Sequence, residues 1–284
     1  MNLFKTYFSL TKPGIIFGNL ITATAGFFLA SKGHINLGLL LAALSGTSLG
    51  IASACVFNNY IDRDIDEKMT RTKNRVLVKR LVPVPNALIF GVVLGLLGFL
   101  ILVLYVNLLT VAIGFVGAFF YVVMYSIWKR RSIYGTLVGS VSGATPIVAG
   151  YTAVTNHFDL GAIILFMILV LWQMPHFYAI AIFRLKDYTA VSLPVLPVVK
   201  GIYITKIHML FYISAFIIAA SMLTILRYTG YIYLIVVILA GFTWLGLCIK
   251  GFKTNDDKLW ARKMFAFSLV VILILSVVMS FDLV

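Results

Sequence analysis

The chain has 284 residues, 62% of them hydrophobic and only 11% charged, with a mean hydropathy of +1.05. So little polar surface cannot cover a soluble globule, and composition alone excludes that class. The formal charge of +14 would suit nucleic acid, but its distribution points to a membrane instead, and no nucleic-acid partner is expected.

The apolar residues form long runs near Ile15 to Ala30, Leu37 to Phe57, Leu88 to Tyr105, Leu109 to Ile127, Gly135 to Val154, Ala162 to Ile182, Ile207 to Leu226, Ile232 to Ile249 and Phe265 to Phe281. Each approaches the roughly 20 residues that cross about 30 Å of hydrocarbon. The expectation is an all-α polytopic membrane protein with nine transmembrane helices in one domain over residues 1–284. The first run opens at Pro13-Gly14 and lacks a small-residue cleavage signature, so it reads as a retained helix. Glycines recur every three to four residues at Gly91, Gly95 and Gly98 and at Gly135, Gly139 and Gly143, a spacing that suits close helix packing. Cys55 and Cys248 read as small buried hydrophobes.

Threading nine spans from an internal N-terminus puts 21 of the 23 Lys and Arg on one side and leaves only Lys32 and Arg227 on the other. This positive-inside bias sets the N-terminus in the cytoplasm and the C-terminus in the periplasm. Seven of the nine acids share the internal face. The chemistry is therefore expected in cytoplasmic cap loops at about 58–87 and 184–206.

The first loop opens with Asn58-Asn59-Tyr60-Ile61-Asp62-Arg63-Asp64-Ile65-Asp66-Glu67-Lys68. Asn58, Asp62 and Asp66 recur every four positions, so a continuing helix would align one oxygen ligand per turn. Carboxylates that close repel one another, and a hard divalent cation shared with phosphate is their natural partner. Arg71, Lys73 and Arg75 follow and suit the rest of a phosphorylated substrate. The bland alternative is a solvated loop tip.

On span four, Tyr121 and Tyr125 lie one turn apart and could flank a cationic or aromatic ligand, while Lys129-Arg130-Arg131 closes the span as a surface anchor. Within span six, Trp172 and His176 share a face. They form either a polar, aromatic pocket wall or a packed, hydrogen-bonded pair. His208, near the start of span seven, is the competing helical histidine. Asp187 follows Arg184-Leu185-Lys186 and is the only acid between Asp159 and Asp256. Pro194 and Pro197 then fold the segment back over the internal mouth.

Thr11-Lys12-Pro13-Gly14, Asn58-Asn59-Tyr60-Ile61-Asp62, Tyr134-Gly135-Thr136, Trp172-Gln173-Met174-Pro175-His176-Phe177 and Leu193-Pro194-Val195-Leu196-Pro197 together resemble the haem O synthase branch of the UbiA-type intramembrane prenyltransferases. The resemblance implies a nine-helix bundle in a bacterial inner membrane, around a cavity that opens to lipid. It implies transfer of the farnesyl group of farnesyl diphosphate to the 2-vinyl group of haem b with addition of water, giving haem O and diphosphate, with the product passed to terminal oxidase assembly or haem A synthesis. Carried over, Asn58, Asp62, Asp66 and Asp187 would hold Mg²⁺, and Arg71, Lys73, Arg75 and Lys186 would hold diphosphate. The catalytic set is then Asn58, Asp62, Asp66, Arg71, Arg75 and Asp187. His176, Trp172 and His208 are the haem-binding candidates, with Lys129, Arg130, Arg131 or Lys200 available to the propionates. Relatives with other acceptors carry a second acid where this chain has Val191, which leaves Lys186, Tyr188 or substrate phosphate to complete a second metal shell. A prenyltransferase acting on a quinone or aromatic precursor is the alternative within the fold. A transporter of an anionic lipid or metabolite is the alternative outside it.

Overall fold

The computed structural model describes residues 3–284, so Met1 and Asn2 of the expected domain lie outside the described residues. A short helix α1 (Leu3–Leu10) precedes α2 (Pro13–Ser31), α3 (Leu37–Ile61) and the single-turn α4 (Arg63–Lys68). After an irregular stretch come α5 (Val84–Tyr105) and α6 (Leu108–Phe119), which runs through a π-helical turn, Phe120–Met124, into α7 (Tyr125–Arg131). Then follow α8 (Gly135–Thr155), α9 (Leu160–Phe183), α10 (Leu185–Ala190), α11 (Leu196–Val199), α12 (Gly201–Ile225), α13 (Tyr231–Lys250) and α14 (Asp257–Phe281). Among the described residues, nine helices are long and apolar enough to cross a membrane, with α6 to α7 counting as one. The chain is a multi-pass membrane protein.

Two spans begin well before their apolar runs, further ahead than any other span. Helix α12 starts at Gly201 instead of Ile207, and α14 at Asp257 instead of Phe265. The Asp256 carboxylate caps α14 by accepting from the Leu259 amide at 2.9 Å, which satisfies a helix-end donor that hydropathy does not register. Lys206, in the added turn of α12, is buried. It donates to the Gly251 carbonyl at 2.6 Å and to Asp257 Oδ1 at 2.5 Å. A buried ammonium needs such partners, because leaving it unpaired costs several kcal/mol. The three helices are thereby tied together at one end.

Between helices in lipid, close packing replaces the hydrophobic drive that water supplies. Helix α3 packs on α5 and α2 on α8. A Cβ on Gly98 would come 2.8 Å from the Gly46 carbonyl oxygen, and one on Gly150 would collide with that of Ala23. The expected packing role of glycine therefore holds for Gly98. Helix α9 sits against α8, α12 and α14 and carries much of the main core, whose largest enclosed side chains elsewhere include Trp244, Tyr233 and Phe216. Leu96, Phe115 and Phe242 are exposed, as side chains facing lipid should be. A second small core joins Leu10, Val56, Val76, Leu77, Val82 and Ala87. It seats α1 and the basic loop over the end of α3, which fixes where the charged residues meet.

Candidate functional site

The first loop departs from one unbroken helix. Asp62 takes φ −93° and ψ 0° between α3 and α4, in the sparsely populated bridge region where a regular helix bends away. The ladder nevertheless survives, with Asp62 N donating to Asn58 O at 3.0 Å and Asp66 N to Asp62 O at 2.8 Å. One oxygen-bearing side chain per turn is retained across the bend.

Each of those side chains is matched by a cation from elsewhere in the chain. Lys12 Nζ donates to Asn58 Oδ1 at 2.6 Å. Lys129 pairs with Asp62 Oδ2, which also accepts from Asn58 Nδ2 at 2.9 Å. Arg75 pairs with Asp66. All three oxygen-bearing residues are buried, so the cations offset a repulsion that solvent does not screen. Arg130 grips the more exposed Asp64 through two bonds of 2.8 Å, and this fork holds the Asp64 carboxyl down to about 2. Lys12 stands at the turn before α2 with φ 53°. Burial, and next the Arg75 charge, push its ammonium down to about 8.

A cavity of about 280 Å³ beside this network is lined by Ser9, Lys12, Asn59, Arg71, Asn74 and Arg75 among others. Three cations and no acid face it, which suits a polyanion. A second, of about 210 Å³, lies between Asp64, Lys68 and Arg130 on one side and Val191, Ser192 and Leu193 on the other. The two cap loops thus meet at one end of the bundle, as the prolines lead one to expect. Asp187 is half-buried and makes no ion pair among the described residues. Burial pushes the neighbouring Tyr188 phenol up against the opposing charge of Arg71. Arg71, Lys73 and Lys186 are exposed.

Among the described residues, no three His, Cys, Asp or Glu side chains gather closely enough to hold a metal, so Asp62, Asp66 and Asp187 do not form such a group. The fit for a hard cation rests instead on Asn58, Asp62 and Asp66. Asp62 Oδ1 is buried with no hydrogen-bond partner among the described residues, and Arg130 Nη2 stands 3.8 Å from it. An unmatched carboxylate oxygen beside two further oxygen donors is the ligand chemistry Mg²⁺ takes.

Trp172 and His176 do share a face, with ring centroids 4.7 Å apart and planes at 25°. That face turns to α14, where Trp172 Nε1 donates to the Ser268 carbonyl at 2.9 Å and His176 Nδ1 lies 2.7 Å from Ser268 Oγ. His208 is exposed on α12 and meets Tyr178 edge to face at 6.3 Å. Lys129 and Arg130, considered for propionates, are engaged by Asp62 and Asp64, whereas Arg131 and Lys200 are exposed. Tyr121 and Tyr125 stack at 6.0 Å, with Tyr121 OH 3.4 Å from Asn58 Oδ1 and Lys129 Nζ 5.0 Å from the Tyr125 ring. Sequence reasoning left Lys12 outside the site and gave Lys129 another task. The available signals were the Lys12-Pro13-Gly14 turn at the first span and the one-turn offset of Lys129 from Tyr125.

Residues 19–270 match the UbiA prenyltransferase family. The protoheme IX farnesyltransferases of Edwardsiella ictaluri (strain 93-146) and Serratia proteamaculans (strain 568) are each 57% identical to this chain, over 99% of it and 95% of their own lengths. Among solved structures, a digeranylgeranylglyceryl phosphate synthase superposes with a TM-score of 0.81 at 19% identity, covering 99% of both chains. A UbiA homolog from Archaeoglobus fulgidus bound to GPP and Mg²⁺ gives a TM-score of 0.71 at 13% identity, over 94% of this chain and 99% of that one.

Proposed function

Because the chain belongs to the UbiA prenyltransferase family, we propose that it farnesylates haem b at the 2-vinyl group, giving haem O and diphosphate. The observation that carries this reading is the 57% identity to a protoheme IX farnesyltransferase across 99% of the chain. The enzyme is a prenyltransferase, and its site chemistry follows from the charged mouth.

Farnesyl diphosphate enters with its tail among apolar helices and its diphosphate in the cavity lined by Lys12, Arg71 and Arg75. Asn58, Asp62 and Asp66 would hold Mg²⁺, with Asp187 available from the second loop. Bound there, Mg²⁺ neutralises charge developing on the leaving diphosphate. Lys129 and Arg75, which pair with Asp62 and Asp66 at this mouth, would meet phosphate oxygens together with Arg71, Lys73 and Lys186. The allylic carbon–oxygen bond breaks and its electron pair leaves with diphosphate. The haem vinyl group then forms the carbon–carbon bond, and water captures the resulting cation beside the porphyrin and loses a proton. Water must be delayed until that bond exists, which favours a site walled by lipid-embedded helices. His176, backed by Trp172, contacts the haem iron, and His208 lines the wall near it.

The positive-inside bias supports a cytoplasmic mouth and N-terminus and a periplasmic C-terminus in the inner membrane. Haem O leaves for terminal oxidase assembly or conversion to haem A. Mass analysis of products from farnesyl diphosphate and haem b tests the reading, with haem O plus diphosphate expected. Exclusive prenylation of a benzoate or naphthoate would overturn it in favour of a quinone-type enzyme. Transmembrane flux without diphosphate release would point to a transporter.

A further inference from the structure

His176 Nδ1 lies 2.7 Å from Ser268 Oγ, and Ser268 Oγ lies 2.6 Å from the Phe265 carbonyl oxygen. Two oxygens that close need a hydrogen between them, and the carbonyl has none to give. The single hydroxyl proton of Ser268 is therefore committed to Phe265. The proton in the contact with His176 must then come from the imidazole, which donates from Nδ1 and keeps its lone pair on Nε2. Among the described residues no hydrogen bond engages Nε2, and the largely buried His176 side chain keeps a small exposed fraction of 8%. Ser268 also fixes the ring plane indirectly, since its backbone carbonyl holds Trp172, on which His176 stacks.

We infer that Ser268, on the last helix, is a positioning residue that sets His176 as the Nδ1–H tautomer and so presents Nε2 as an electron-pair donor to the iron of a porphyrin. The inference rests on the proposed haem substrate. Its chemistry is that of a metal-binding imidazole whose second nitrogen donates to a fixed acceptor, which sets tautomer and orientation together. The arrangement also allows a clean test. Ser268→Ala removes the hydroxyl but leaves the carbonyl bond to Trp172 in place.

Ferric haem b is titrated into the purified full chain without farnesyl diphosphate, so that no turnover intervenes, and followed by its absorption spectrum. The native protein should give an imidazole-ligated spectrum, which His176→Ala abolishes. Ser268→Ala should weaken haem binding roughly tenfold, in the range for losing such an outer partner, and Ser268→Thr should restore most of it by returning the hydroxyl. An unchanged spectrum in His176→Ala would overturn iron ligation itself. If His176→Ala loses the spectrum while Ser268→Ala binds as the native protein does, ligation stands and the positioning role falls. Failure of Ser268→Thr to recover, in a protein that still melts like the native one, would likewise overturn the hydroxyl's role.

Discussion

The two cap loops meet at the same mouth but are prepared differently. In the first, Asn58, Asp62 and Asp66 each have a matching cation, and two of the three cations, Lys12 and Lys129, come from other spans. In the second, Asp187 is half-buried and, among the described residues, has no ion-pair partner. Buried acids cannot stay close without compensation, so the first loop is assembled before any ligand arrives. An acid left partly in water needs no such support and is free to move to a ligand. The difference teaches that the acids of the first loop are paired within the fold, whereas Asp187 of the second is left partly in water.

Asp62→Asn should therefore be the most damaging change, lowering haem O formation roughly 10³-fold. Full turnover of the purified variant across a Mg²⁺ titration would remove its metal role. Lys129→Met leaves the buried Asp62 carboxylate with only Asn58 Nδ2 at 2.9 Å and the Arg130 guanidinium at 3.8 Å, a loss of about 3 kcal/mol. Its melting temperature in detergent should fall without Mg²⁺ and recover on adding it, and an unshifted melting curve would break the claim that the first loop is preassembled. Asp187→Asn should cost about 10²-fold in turnover with no change in melting. A clear loss of stability would place the two loops on the same footing. Smallest of all, Val191→Asp adds a second acid beside Lys68 and Arg130 and should change Mg²⁺ affinity only a few-fold, as expected of a partly exposed charge. A far larger gain by calorimetry would make the second loop the principal metal site.

Legibility followed the range of the interactions. Long apolar runs persist over whole spans, so the number and order of the membrane helices could be read directly. Span ends were harder, because Lys206 has the composition of a solvated loop and is buried only through its bonds to Gly251 and Asp257. Asn58, Asp62 and Asp66 were legible since their spacing is local. Their partners were not, as Lys12 and Lys129 lie 46 and 67 residues away from Asn58 and Asp62. The shared face of Trp172 and His176 was visible in a one-turn spacing, but Ser268 belongs to a helix 92 residues beyond His176, and no local pattern points to it.

The π-helical turn at Phe120–Met124 stores one extra residue in the fourth span, and everything beyond it depends on that surplus. An α-helix advances 3.6 residues per turn, so deleting a single residue there and healing the turn would swing the rest of the span by about 100°. The Lys129 ammonium would then sweep away from Asp62, and the Tyr121–Tyr125 stack would open. A one-residue deletion in this segment, unlike one in a surface loop, would leave the span hydrophobic and inserted yet misaligned.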